Sequence, residues 1–186
     1  LQHFVNATVC WGKLYHKSVF DGKRYPPGKY IEDEFLTYKL LFPLEKITVV
    51  PAPLYAYYIN RAGISKKAWV PKRLDAWEAY EQQIAYFEKM GDKELLQFRI
   101  RAYFESILEY IQAAKAAPNA AQLEKEIRFM EKRKKEFIPR AWKAGCIDFY
   151  VDYDALLDSY PVMTKMHRLY LEKWKYARWR KRWRKN

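Results

Sequence analysis

Three amphipathic stretches follow one another after Pro71, and they limit what this chain can fold into more than any other feature of its sequence. In each stretch, large apolar residues recur at intervals of three or four, which places them on one face of an α-helix. The stripes are Leu74, Trp77, Tyr80, Ile84 and Phe87; then Leu95, Phe98, Tyr103, Ile107, Leu108 and Ile111; then Leu123, Ile127 and Met130 within residues 121–137. Since such faces must be buried, residues 71–160 are expected to form a mostly helical bundle.

Glycine and proline mark the expected ends of these helices. Gly91 ends the first helix, and the second ends near Pro118. The third is predicted to end at about Phe137, because Pro139 and Gly145 then bracket a loop that holds Trp142. The charged run at residues 131–136 is predicted to be a solvated face.

Ahead of the bundle, three acids stand between a rigid turn and an apolar run. Pro26, Pro27 and Gly28 fix an irregular loop, and the acids at residues 32–34 open a helix that should stop near Phe42, before Pro43. One interpretation is a capping cluster, because a helix N-terminus stabilises negative charge. The other is a general base. Consecutive helical residues point about 100° apart, so at most one of these acids can face a given atom.

Two short β-branched and aromatic runs follow that helix. Residues 47–50 and 54–59 are separated by Pro51 and Pro53, and each is typical of a strand. Residues 1–9 also suit an extended segment. We therefore predict an α+β fold, with a few short strands and the acid-bearing helix in residues 1–70 and the helical bundle after them.

Composition limits the classes of partner and compartment. The chain has 186 residues and a formal net charge of +13, which attracts polyanions such as nucleic acid, anionic membranes or phosphorylated substrates. Cys10 and Cys146 are too few for a disulfide framework and have no metal-ligand spacing, so reduced cytosolic thiols are expected. No apolar run reaches the roughly 20 residues of a membrane span, and the first residues given do not show a basic region followed by an apolar core. The protein is expected to be soluble or peripheral.

A basic aromatic helix is predicted at residues 161–186. Residues 165–185 contain ten Lys or Arg and one acid, Glu172. Tryptophan and tyrosine favour the bilayer interface, and basic residues are attracted to anionic lipids, so peripheral attachment to a membrane is the preferred interpretation. The predicted membrane contacts are Tyr170, Trp174, Trp179 and Trp183. Two alternatives stay open: bases of single-stranded nucleic acid stacked on these rings, or a tail packed on the other helices.

Five segments in order resemble the second half of a family 2 glycosyltransferase, of the bacterial type that builds capsular, exopolysaccharide or lipopolysaccharide chains. They are residues 11–15 (WGKLY), 18–20 (SVF), 25–35 (YPPGKYIEDEF), 53–58 (PLYAYY) and 61–65 (RAGIS). The resemblance covers about residues 5–90 and implies the C-terminal part of a GT-A catalytic domain. Gly12 replaces the asparagine that the family has before its lysine.

The resemblance also implies roles for single residues. Asp33 is the general base of an inverting sugar transfer, Glu32 orients it, and Glu34 caps the helix. The implied substrate-binding residues are Lys13 and Tyr15 on the acceptor side, with Arg61 and Ser65 on a loop suited to the diphosphate of a nucleotide-sugar donor. A divalent cation, Mg²⁺ or Mn²⁺, is expected for the parent enzyme, with its ligands mostly outside this chain. The expected location is the cytoplasm, peripheral to the inner face of the cell membrane.

Asp152 and Asp154 do not supply the family's metal-holding D-x-D motif, because that motif precedes the acidic block, whereas this pair follows it. The chain also opens at Leu1, inside family-like sequence. We therefore expect a fragment that is inactive without an upstream nucleotide-binding half. Two competing hypotheses are a basic helical module that binds nucleic acid and a helical interaction domain without a ligand. The ordered segments disfavour both.

Overall fold

The computed structural model describes residues 8–58, 63 and 69–146. The α-helices in this part are α1, Asp33–Leu41; α2, Asp75–Met90; α3, Lys93–Lys115; and α4, Glu124–Lys143. Single 3₁₀ turns span Lys17–Phe20, Pro71–Leu74 and Ala120–Leu123. Among these helices none combines the length and the apolar character that a membrane span requires.

Residues 71–146 form helices that pack together, and α3 lies at the centre of this bundle. This helix packs along α4 on one side and α2 on the other. Tyr103 and Ile107 are completely buried there, as is Met130 of α4. Trp77 of α2 stacks on Tyr110 of α3, with ring centroids 6.0 Å apart and planes 11° apart. The apolar stripes of the sequence thus form one continuous core.

The connection between α2 and α3 follows the sequence signals. Gly91 ends α2 with a left-handed φ of 74°, which an L side chain rarely adopts. Asp92 then caps α3, because its carboxylate accepts a hydrogen bond of 3.0 Å from the backbone N–H of Leu95.

The predicted loop around Trp142 is wrong, because α4 continues through Pro139 to Lys143. A proline removes the helical donor to the carbonyl four residues earlier, here Lys135. Both residues lie on the exposed side of α4, where water can replace that donor, while Phe137 and Ile138 stay buried. The helix ends instead at Gly145, where two backbone bonds form a Schellman motif: Gly145 N–H to Trp142 O, and Cys146 N–H to Ala141 O.

The predicted α+β class is wrong for the described part of the chain, which contains helices and irregular segments but no strand and therefore no GT-A strand core. Residues 47–50 and the described part of 54–59 are irregular and exposed. Strand propensity reflects packing and pairing with a neighbouring strand, and no described segment pairs with this one. Pro51 and Pro53 also remove two backbone donors from it.

Helix α1 lies against α2, which fixes the acidic block to the bundle. Phe42 packs edge-on against Phe87, with centroids 5.3 Å apart, and Tyr38 packs similarly on Tyr86 at 5.1 Å. Helix α1 ends at Leu41 with Phe42 as its cap, as the following proline predicts. The candidate site therefore stands on a rigid support.

Candidate functional site

The turn before α1 determines how the acids at residues 32–34 are oriented. Ile31 has a φ of 56°, a conformation that is strained for a β-branched residue and persists only where neighbouring contacts enforce it. Those contacts come from the first turn of α2. Asp75 accepts a hydrogen bond of 2.9 Å from the backbone N–H of Tyr30, and Lys29 Nζ lies 2.6 Å from Glu78 Oε2. The loop that precedes the acids is thus fastened to the bundle.

Asp33 borders an open pocket of about 220 Å³ between α1, α2 and the N-terminal segment. The pocket is lined by Thr8, Asp33, Glu34, Thr37, Tyr38, Leu41, Phe42, Ile47 and Gln83. A carboxylate set in a largely apolar pocket is a suitable acceptor for a proton from a bound hydroxyl. Asp33, for which the family resemblance implies the role of base, therefore lies at a concave surface.

Burial raises the pKa of the Asp33 carboxyl, and the adjacent charges of Glu34 and Glu32 raise it further. The backbone N–H of Glu34 donates a hydrogen bond of 3.0 Å to Asp33 Oδ1, which acts in the opposite direction. The net shift is upward. A raised pKa suits a general base, because proton transfer is most effective when that pKa approaches the working pH.

The two other acids of the block have different surroundings. Glu32 stands at the cap position of α1 but makes no capping bond with its side chain. Glu34 does not cap the helix as expected. Its carboxylate instead accepts a hydrogen bond of 2.7 Å from Gln83 of α2 and lies 3.4 Å from the guanidinium of Arg99 of α3. Sequence reasoning missed Gln83 and Arg99, because partners so far along the chain leave no local signal.

Lys13 lies within electrostatic reach of Asp33. It is half-buried and donates a hydrogen bond to the carbonyl of Val9. Burial lowers the pKa of the Lys13 ammonium, while Cys10 and Asp33 partly oppose that change. Burial also raises the pKa of the Cys10 thiol, helped by Glu32 and Asp33. The segment that carries Lys13 therefore lies within electrostatic reach of the acidic block. The substrate-binding role of Lys13 stays a prediction.

Tyr15 turns its hydroxyl inward. The ring packs edge-on against Phe20 at 5.2 Å, and burial raises the pKa of the phenol to about 12. Tyr25 lies between Tyr15 and Thr37. The hydroxyls of these three residues are buried, and within the described part of the chain none makes a hydrogen bond of good geometry. Tyr15 thus belongs to a packed cluster with Phe20 and Tyr25 in the N-terminal segment.

An aromatic stack within residues 8–58 was not predicted from the sequence. Trp11 stacks with Tyr55 and Tyr57, at centroid distances of 5.1 Å and 4.9 Å and interplanar angles of 14° and 29°. The three rings remain 39%, 51% and 61% exposed. The signal was the alternation of Tyr55 and Tyr57, since alternate residues of an extended chain share one side.

Several predicted residues lie outside the described part of the chain. They are Arg61, Ser65, Tyr170, Trp174, Trp179 and Trp183. Their roles stay predictions. Within the described part, no group of three or more His, Cys, Asp or Glu is arranged to hold a metal ion.

The chain is similar to one curated protein, glycosyltransferase GlyA of Streptococcus pneumoniae serotype 4. The two are 33% identical over 94 residues, a match that covers 48% of this chain and 13% of that relative. The chain therefore matches only a small part of that relative's length. No family model matches it. No solved structure matches it either. The similarity supports a relationship to glycosyltransferases, in agreement with that part of the sequence prediction.

Proposed function

We propose that this chain is the acceptor-side part of an inverting, family 2 type glycosyltransferase that transfers a sugar from a nucleotide-sugar donor to a saccharide acceptor in cell-surface polysaccharide synthesis. The observation that carries the proposal is the position of Asp33, half-buried at a pocket on a braced helix. The similarity to a named glycosyltransferase supports the same reaction class.

The reaction places a proton on Asp33. As an acceptor hydroxyl attacks the anomeric carbon of the donor, its O–H bond breaks and the proton passes to the Asp33 carboxylate. The new C–O bond forms while the bond to the nucleoside diphosphate breaks, and the diphosphate leaves with the electron pair. The anomeric configuration inverts in this single displacement, and no covalent nucleophile is needed. Glu32 lies beside the base and orients it through local charge.

A saccharide acceptor suits the surface next to Asp33. Sugar rings have apolar C–H faces as well as hydroxyl edges, so an exposed aromatic ring and a polar group beside it match both. The stack of Trp11, Tyr55 and Tyr57 supplies the rings, and Lys13, within electrostatic reach of Asp33, supplies a polar group. We infer that the growing chain extends from the Asp33 pocket across this stack.

The departing diphosphate requires positive charge from elsewhere. A divalent cation, Mg²⁺ or Mn²⁺, would stabilise that charge, but the described residues offer no site for it, so no step here is assigned to it. Arg61 and Ser65 stay proposed neighbours of the diphosphate. Lipid-linkage of the acceptor and attachment of residues 161–186 to the inner face of the cell membrane are further parts of the proposal.

The test is a pair of isosteric substitutions in the longer protein that contains this chain, assayed for transfer from nucleotide sugars. Asp33→Asn should lower kcat by about 10²- to 10⁴-fold, the range that a general base contributes. The matched control Glu32→Gln should lower it much less. Equal kcat for Asp33→Asn and the unsubstituted enzyme would contradict the proposal. The 186-residue chain alone is expected to show no turnover.

A further inference from the structure

Arg99 is a charged residue in the interior of the bundle. Its side chain is only 3% exposed, on α3 and facing α1 across α2. Burying an ionised group is unfavourable unless a partner compensates it, and an ion pair in such a place rarely gains stability over an apolar pair of the same size. A structural role alone therefore explains this arginine poorly.

The contacts of Arg99 converge on one member of the acidic block. Its Nη2 lies 3.4 Å from Glu34 Oε2, and its guanidinium carbon lies 4.7 Å from the ring centroid of Tyr80. Gln83 completes the arrangement, because its amide Nε2 donates to the Glu34 carbonyl at 2.5 Å and to Oε2 at 2.7 Å. The Glu34 carboxylate is thus held on the side of α1 that faces the bundle.

We propose that Arg99 is a positioning residue for the base: together with Gln83 it holds the Glu34 carboxylate at the border of the pocket and partly compensates its charge, so that this charge opposes the ionisation of Asp33 less. Asp33 and Glu34 are adjacent on one helix, and like charges so close together hinder each other's ionisation. The positive charge of Arg99 beside Glu34 reduces that repulsion, and one hydrogen bond from Gln83 fixes the position of the Glu34 carboxylate.

Other ionisable groups also affect the pKa of Asp33. Glu32 raises its pKa from the same helix, whereas Lys13 on the N-terminal segment favours its charged form. The ionisable groups packed around the two carboxyls are Cys10, Lys13 and Tyr25 from the N-terminal segment, Glu32 from the helix start, Tyr80 from α2, and Arg99 and Tyr110 from α3. In the described part of the chain, Arg99 is the cation that contacts Glu34.

The experiment is an NMR titration of the Asp33 carboxyl in the 186-residue chain labelled with ¹³C-aspartate, with Asp33→Asn used to assign the signal. Arg99→Met should move the Asp33 midpoint upward by several tenths of a pH unit, because the Glu34 charge is then uncompensated. The control Arg101→Met removes an exposed arginine of the same helix and should leave the midpoint unchanged. Equal midpoints in the two variants would overturn the proposal.

A second pair of variants answers the same question if Arg99→Met does not fold. Glu34→Gln should lower the Asp33 midpoint, and Arg99→Lys, which keeps the charge, should leave it close to the midpoint of the unsubstituted chain. An unchanged midpoint in Glu34→Gln would refute the proposal. The inference rests on the proposed function for its catalytic meaning, but the titration uses no substrate. Its failure would therefore leave the turnover test of Asp33→Asn standing, and the converse also holds.

Discussion

The bundle joins its helices through ion pairs and hydrogen bonds, whereas the N-terminal region leaves large apolar side chains exposed. In the bundle, charged side chains cross between helices in pairs. Glu131 of α4 lies 2.7 Å from Lys115 of α3 and 2.9 Å from the nearly buried Lys134, and the Tyr103 hydroxyl donates to Glu81 at 2.8 Å. Each such contact joins two helices or compensates a buried charge. The bundle is organised for stability.

Residues 8–58 instead leave large apolar side chains at the surface. Leu14, Leu54 and Tyr58 are largely exposed, and the Trp11 stack is half-exposed. Exposed apolar groups that cluster in this way usually mark a binding surface. The strained Ile31 and the raised pKa of Asp33 lie in the same region. The comparison supports the proposal that the bundle is a support and that the N-terminal region is the working surface.

The largest effect should come from breaking the support. Phe104→Ala removes a ring that is 1% exposed at the centre of the bundle, and it should lower the free energy of unfolding by about 3–5 kcal/mol. The matched control is Phe129→Ala, because this ring is 48% exposed and should contribute less than about 1.5 kcal/mol. Urea denaturation followed by circular dichroism measures both. Similar losses would show that α3 is not the centre of the core.

A smaller, pH-dependent effect is expected from Glu131→Gln. This substitution should lower the free energy of unfolding by about 1–2 kcal/mol at neutral pH, because the buried charge of Lys134 then lacks its acidic partner. Burial alone would raise the pKa of Glu131, but hydrogen bonds from Lys115 and Lys134 outweigh it and lower that pKa. The contribution is therefore present above the ordinary value of about 4.3 and is lost as the pH falls through the lowered pKa.

The control for this prediction is Glu136→Gln on the same helix. Glu136 is 51% exposed and lies 3.8 Å from Lys132, so its loss should change the free energy of unfolding by less than about 0.5 kcal/mol at every pH. Thermal denaturation of both variants at pH 7 and at pH 3 separates the two cases. If the Glu131→Gln difference persists at pH 3, the ion pair is not its cause.

The same contrast explains what the sequence could predict. The bundle follows from local patterns, because apolar spacing defines each buried face and Gly91 ends α2 through its own backbone freedom. The acidic block was placed correctly at a helix start for the same reason. Pro139 misled the prediction, because whether a proline ends a helix depends on which side of the helix faces solvent.

The remaining errors share a tertiary cause. The strand prediction for residues 47–50 and 54–59 failed because strand propensity depends on a pairing partner that no described segment supplies. The role of Glu34 could not be read locally, since Gln83 and Arg99 reach it from two other helices. The stack of Trp11 on Tyr55 likewise joins distant segments.

The smallest predicted effect sharpens the comparison most directly. If the N-terminal region is a working surface, its base should be held at some cost to stability, so Asp33→Asn should stabilise the 186-residue chain although the same substitution lowers kcat in the longer protein. Asparagine keeps the acceptor oxygen for the Glu34 N–H but removes the half-buried charge. At pH 7 we expect Tm to rise by about 1–2 °C, which corresponds to on the order of 0.5 kcal/mol after allowance for solvent screening.

The sign of the pH dependence distinguishes this explanation from a general improvement in packing. Because the folded-state pKa of Asp33 is raised, its favourable contribution is complete below the ordinary value of about 3.9 and disappears as the pH rises through the folded pKa. The gain in Tm from Asp33→Asn should therefore be present at pH 7 and vanish near pH 3, whereas the exposed Asp21→Asn should show no gain at either pH. A gain that is equal at both pH values would mean that Asp33 is not held under electrostatic strain, and the distinction between support and working surface would then lose its energetic basis.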